Sequence, residues 1–292
     1  MFKVVILGCE NSHAGGFLTL INKRKLYPEL EVIGVYSDDR ASAEKLNASY
    51  GVPVMDTFDE WVGKVDAVIV TARHGDNHLK YAKPYMESGI PMFIDKPITC
   101  SEEDAIELAR LAKKKGVKLC GGSICAEYEG TVKLADMIKN GELTDICAGH
   151  VVAPFDPVNA YGDFYFYTEH LVDMMTRVFG TKILEICCSI EPKTASVIAR
   201  YENFNVTGTY TTCVPSPYAI TVYAKEGVIN EFPTGLPDSD SYRPEIDALM
   251  SLLHGEKMAK TYEDFILPSF LLNAMVRSSR SRGFEKVNEI KL

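Results

Sequence analysis

The sequence predicts an α/β chain in two parts. Residues 1–122 form a doubly wound parallel sheet, and residues 123–292 an α+β domain with a largely antiparallel open sheet. Three observations carry this. The chain starts with an apolar run that ends at Gly8. Short apolar runs then alternate with longer amphipathic ones to about residue 120. Beyond that, strand-like segments follow one another with short turns. Alternation is the mark of repeated βα units, and strands joined by short links pair antiparallel.

Taken in order, Phe2–Leu7, Glu31–Tyr36, Asp66–Val70, Met92–Ile94 and Lys118–Cys120 read as strands. They are short, β-branched and apolar on both faces, as a sheet covered by helices requires. Helices are expected over Gly16–Arg24, Ala41–Tyr50, Asn77–Ser88 and Glu102–Lys115. Ser101 and Asp104 resemble a capping box for the last of these, and its lysine run precedes Gly116. The second part offers a helix over Tyr128–Asn140, a strand around Ile146–Ala153, a loop with Pro154 and Pro157, and a helix over Tyr165–Phe179. Strands are then expected at Ile183–Ile190, Ala195–Tyr201, Asn205–Cys213, Tyr218–Ala224 and Val228–Glu231. Helices near Arg243–His254 and Tyr262–Arg280 close the chain.

Composition narrows the function. Of the 292 residues 46% are apolar, and no apolar run approaches the roughly 18–20 residues of a membrane span. The start, MFKVVILGCE, reads as a first strand rather than a signal peptide, so a cytoplasmic protein is expected. A net charge of −9 without a basic block argues against nucleic acid and anionic membrane as partners. The eight cysteines show no C-x-x-C and no spacing that suits a structural zinc site, so reduced thiols and no metal are expected.

A strand, a tight glycine turn and a helix are how a Rossmann dinucleotide fold begins. Here the turn reads Gly8-Cys9-Glu10-Asn11-Ser12-His13. A strict G-x-G-x-x-G would have glycine at 10 and 13, and a carboxylate at 10 would repel a phosphate. Gly8, Asn11, Ser12 and His13 are the cofactor candidates of this loop; alternatively Asn11 or Ser12 only caps the helix. After the second strand come Ser37, Asp38 and Arg40. An acidic side chain there suits the ribose hydroxyls of NAD, and an arginine with a small residue suits the 2′-phosphate of NADP. Both cofactors stay open.

The stretch from Asp66 to Thr99 has a strand ending at Thr71, histidines at 74 and 78, a helix, a glycine turn, a strand and Asp95-Lys96-Pro97. This pattern resembles the Gfo/Idh/MocA family of NAD(P)-dependent oxidoreductases, and the antiparallel sheet and final helices of the second part suit it too. The resemblance implies hydride transfer between a nicotinamide and a sugar, cyclitol or related small polyol. It implies cofactor contacts from Thr71, Ala72, His74, His78 and Asp95, with Lys96 beside the nicotinamide and the substrate hydroxyl. A cis Lys96–Pro97 bond is expected on the same ground. His170 fits the family's acid/base histidine and Asp173 the carboxylate one turn on, but Phe166 stands where the family has aspartate. Tyr165 and Tyr167 are the nearest hydroxyls to take its place. Turnover unchanged in Tyr167→Phe would remove that role. Gly121–Ala126 lacks the family's arginine and aromatics, which implies a less polar pocket wall.

Two other functions fit the same residues: a cofactor-retaining hydrolase or lyase, and a non-catalytic nucleotide or sugar sensor. A homodimer or homotetramer is expected, joined through the open sheet face.

Overall fold

The computed structural model describes residues 1–237 and 239–292. Its first sheet is parallel, in the order β2-β1-β3-β4-β5. The strands are β1 (Phe2–Leu7), β2 (Leu30–Tyr36), β3 (Ala67–Val70), β4 (Met92–Asp95) and β5 (Leu119–Gly122). Val4 to Leu7 and Ala67 to Val70 are buried without regard to parity, because helices cover both faces. Those helices are α1 (Ser12–Leu18), α2 (Arg40–Tyr50), α3 (Asp76–Met86) and α4 (Glu102–Lys115). Ser101 Oγ accepts the Asp104 N–H at 3.1 Å, so the expected cap of α4 is present. The first helix differs from expectation. It starts at Ser12, with Asn11 extended as its N-cap, and continues from Thr19 to Lys23 as a wider turn. The glycine turn is therefore four residues tighter than hydrophobic periodicity suggested.

In the second part α5 (Glu129–Lys139) is followed by β6 (Ala148–Pro154), α6 (Tyr165–Phe179), β7 (Glu185–Ile190), β8 (Thr194–Arg200), β9 (Asn205–Thr211), β10 (Ala219–Ala224) and β11 (Gly227–Glu231). Then come α7 (Arg243–Leu253), α8 (Tyr262–Ser281) and the short β12 (Glu285–Lys286). The sheet order is β11-β10-β6-β9-β8-β7-β12. Pairing is antiparallel except between β6 and β9, which run parallel. Short links alone would have placed β10 beside β9. Instead the α6 crossover leaves β6 in the middle of the sheet, between them.

One face of this sheet packs on α6 and α8. Along β8, Ala195, Val197 and Ala199 are buried, while Ser196, Ile198 and Arg200 face outward. Tyr210 is fully buried and donates its hydroxyl to the Thr168 carbonyl at 2.7 Å, fixing α6 on β9. The two parts interlock. Ile246 and Leu249 of α7 pack with Val4, Ile6 and Phe93 of the first sheet. The cleft between them is floored by the C-terminal ends of β1, β3 and β4 and walled by α6. Among the described residues no helix is long and apolar enough to cross a membrane.

Candidate active site

Close backbone packing at the strand ends sets the floor of the cleft. Gly8 has φ +96, and a Cβ there would lie 2.2 Å from the Ala72 nitrogen. Its N–H donates to the Tyr36 carbonyl at 2.7 Å, and its carbonyl accepts Thr71 Oγ1 at 2.6 Å. Only glycine lets β1 and β3 end this near one another. His78 is fully buried, with Nε2 2.8 Å from the Ala72 carbonyl and Nδ1 3.2 Å from that of Ile98. It ties the end of β3 to the segment after β4 and does not line the cleft.

At the end of β4 the Lys96–Pro97 peptide is cis. Asp95 is completely buried. Its Oδ1 accepts the Lys96 N–H and its Oδ2 accepts Asn11 Nδ2, each at 2.7 Å. Lys96 is 4% exposed, and its Nζ stands 4.6 Å from the Phe166 ring centre and 5.0 Å from that of Tyr167. Burial lowers the Lys96 pKa, with Asp95 opposing. Phe166, at the position expected for aspartate, thus meets the ammonium with a π face, which attracts a cation without a formal charge. Arg73 lies over the same ring at 5.0 Å and over Tyr161 at 4.2 Å.

These groups line a cavity of about 340 Å³ with Asn11, Ser12, His13, Tyr167, His170 and Tyr242. On a chain of net charge −9, its described lining has two fixed cations, Lys96 and Arg73, and no carboxylate. Arg73 was not singled out from the sequence, although its place directly after Thr71 and Ala72 is a usable signal. Tyr165, by contrast, points to α8 and donates to Asn273 Oδ1 at 3.0 Å.

His170 on α6 does not pair with Asp173. Its Nδ1 is 2.6 Å from Ser123 Oγ and 3.4 Å from Cys125 Sγ. Asp173 Oδ2 accepts the Ser123 N–H at 2.6 Å instead. The segment after β5 therefore supplies the histidine's orienting groups, which its small apolar sequence hid. Glu169, one residue before, is fully buried and accepts the Ile98 N–H at 3.0 Å, anchoring α6 to the loop after the cis proline. Desolvation, then Asp173, raise its pKa well above the usual carboxylate range.

Desolvation, then the charges of Lys96 and His13, hold the His170 pKa well below its ordinary value. The folded imidazole therefore stays neutral where the unfolded one, near pH ~6.5, takes a proton. Stability from this group is complete above about pH 6.5 and is lost as pH falls, by ~1.4 kcal/mol per unit. The unfolding free energy of wild type minus that of His170→Gln should fall by about this amount per unit below pH ~6, measured by urea denaturation. A pH-independent difference would show that the imidazole ionises in place.

At the nucleotide end the Glu10 carboxylate turns towards the ends of β2 and β3. Oε2 accepts Ser37 Oγ at 2.6 Å, and Oε1 accepts the Arg73 N–H at 2.9 Å. The carboxylate thus laces together the ends of β1, β2 and β3. Asp38 accepts from Tyr36 and Lys80, each at 2.8 Å, and Arg40 pairs with Glu44 at 3.3 Å and Asp56 at 3.6 Å. His74 lies apart from the cavity, near Asp76 and Cys100. None of the eight cysteines is disulfide-bonded.

Residues 2–123 match the model of the "Oxidoreductase family, NAD-binding Rossmann fold", Gfo/Idh/MocA. Over these residues, less than half of the chain, the sequence is similar to the Gfo/Idh/MocA oxidoreductases. Among sequence relatives, the uncharacterized oxidoreductase YhhX of Escherichia coli is 29% identical over 134 residues. That stretch is 42% of this chain and 38% of YhhX. Solved structures align along nearly the whole chain. Scyllo-inositol dehydrogenase from Lactobacillus casei, with bound NAD(H) and scyllo-inositol, covers 98% of this chain and 99% of its own, at TM-score 0.82 and 15% identity. GenD2 from gentamicin A biosynthesis, in complex with NAD, covers 99% and 97%, at TM-score 0.85 and 17% identity. At such identities the likeness is one of fold, and it covers both parts of the chain.

Proposed function

We propose that the chain is an NAD(P)-dependent dehydrogenase or reductase of a sugar, cyclitol or related small polyol. The observation that carries this reading is one cavity lined by both the buried Lys96 and His170, at the end of β4 in a domain that matches an NAD-binding oxidoreductase model. The donor set fits a dinucleotide. Arg73 and Lys96 bring positive charge, Asn11 and Ser12 bring polar side chains, and the Glu10 carboxylate is already satisfied by two donors. Gly8, Asn11, Ser12 and Arg73 would hold the pyrophosphate, Ser37 and Asp38 the adenosine ribose, and Thr71, Ala72 and Lys96 the nicotinamide half. A bound nicotinamide supplies the hydride acceptor or donor.

The remaining chemistry falls to side chains. Burial brings the Lys96 amine nearer to neutrality, so it can take the substrate's hydroxyl proton as the C–H bond breaks and return it in reduction. His170 spends Nδ1 on Ser123 and Cys125, and Nε2 is the nitrogen left to hold the same hydroxyl. Tyr167, against both groups, orients the polyol.

Glu10, Asp38 and Asp39 gather three carboxylates at the end of β2, and Arg40 is already paired with two others. This arrangement favours NAD over the 2′-phosphate of NADP. Titration with NADH and NADPH, followed by nicotinamide fluorescence and thermal shift, should show NADPH binding at least tenfold more weakly. Saturation at ~100 times the dissociation constant stabilises the fold by roughly 2.7 kcal/mol. If neither binds, the oxidoreductase reading falls. A sensor of the same fold, which the loss of the acid to Phe166 favours, takes its place. The outward face of the second sheet, with Ile198 and Tyr223 partly exposed, is read as a subunit interface. A monomeric mass by light scattering would overturn that.

A further inference from the structure

Beside the cavity, three residues distant in sequence converge in the interior: His13 in the first turn of α1, Asp95 at the end of β4 and Glu245 in the first turn of α7. Each is at least 95% buried. His13 Nδ1 is 2.9 Å from Asp95 Oδ2 and 3.8 Å from Glu245 Oε2, and the three ligand atoms lie within 4.8 Å of one another. Yet His13 Nδ1 and both Glu245 oxygens have no hydrogen-bond partner. Asp95 Oδ2 stands at ion-pair distance from the imidazole nitrogen. The buried Glu245 carboxylate is thus left without a donor beside the His13–Asp95 pair, an arrangement that is costly unless something else satisfies it.

We propose that this cluster is a binding site for a first-row divalent cation such as Zn²⁺ or Mn²⁺. Ligands ~2.0–2.2 Å from one cation stand roughly 3–4 Å from each other, the spacing seen here. One imidazole and two carboxylates are the nitrogen and oxygen donors such ions take. Asp95 is held in place, because the Lys96 N–H bonds its Oδ1 and Asn11 Nδ2 shares the Oδ2 that faces His13. The ion would pin α7, and with it Tyr242 in the cavity wall, to the strand ends of the first sheet. The site borders the cavity through His13, and Asp95 links it to Lys96 and Asn11.

The test is calorimetric titration of the chelator-treated full chain with ZnCl₂ and with MnCl₂, with metal content of the purified protein read by mass spectrometry. About one equivalent of one of these metals should bind and raise the melting temperature. Glu245→Gln and His13→Asn should each weaken binding at least tenfold, whereas the exposed His254→Asn should not. Glu245→Gln keeps the side-chain shape, and circular dichroism on each variant separates lost binding from lost folding. Absence of binding by either metal would overturn the proposal. So would undiminished affinity in both folded variants, or a loss seen only with Cys100→Ser, which would assign the ion to His74, Asp76 and Cys100 instead.

Discussion

Replacing Lys96 by methionine is expected to lower kcat by about 10²–10⁴-fold, the range for a positioned acid/base group, while the protein stays folded. Methionine retains most of the aliphatic stem that packs against Phe166 and Tyr167 and removes only the ammonium. The fold should tolerate this. The ammonium is desolvated, its ring partners carry no charge, and Asp95 keeps the Asn11 and Lys96 N–H donors, the second from the backbone. Turnover with NAD⁺ and a panel of polyols, alongside nucleotide affinity, gives the reading. A loss in kcat with nucleotide affinity nearly kept places the ammonium at the reacting atoms. Wild-type kcat in the folded variant would remove Lys96 from the chemistry and leave His170 as the remaining candidate.

Gly121→Ala should be the most damaging single methyl group in the cleft. Gly121 pairs with Ile94 in the ladder between β5 and β4, at φ +123, and a Cβ there would sit 2.0 Å from the Ile94 carbonyl oxygen. Backbone cannot move aside as a flexible side chain does. The strained φ costs ~1–3 kcal/mol, and relieving the overlap adds a cost of overpacking, again ~1–3 kcal/mol. A total near 3–4 kcal/mol corresponds to roughly 6–15 °C in melting temperature. The displacement falls on β4 just before Asp95 and Lys96, so activity should drop further than the folded fraction does. Thermal melts and kcat at 25 °C check both parts. A variant melting within about 2 °C of wild type would show that the strand pair opens without strain.

Local patterning made much of this readable in advance. The strand runs of the first sheet, the Ser101 cap and the span of α6 follow from apolar periodicity and end chemistry, which act over a few residues. Gly8 announced the first turn, whereas Lys96 and His170 came from the resemblance to a known family, and their roles are proposals. The middle position of β6 was not readable, because strand order depends on where a crossover helix lands. Nor was the partner of His170. Asp173, at i+3 on the same helix, looked close, but its carboxylate turns to the Ser123 N–H, and Ser123 from the segment after β5 takes the imidazole.

What the sequence determined by itself was the class of the fold, since that is written in short-range spacing and residue type, while the candidate catalytic residues came from a resemblance to a known family. What only the tertiary structure decided was partnership. It set Lys96 against the ring of Phe166, Glu10 against Ser37 and the Arg73 N–H, and Glu245 beside His13 and Asp95. Those pairings join residues tens to hundreds of positions apart. They are fixed by how helices and strand ends pack, which no local pattern encodes, and by burial, which raises the cost of every charge or polar group left without a partner.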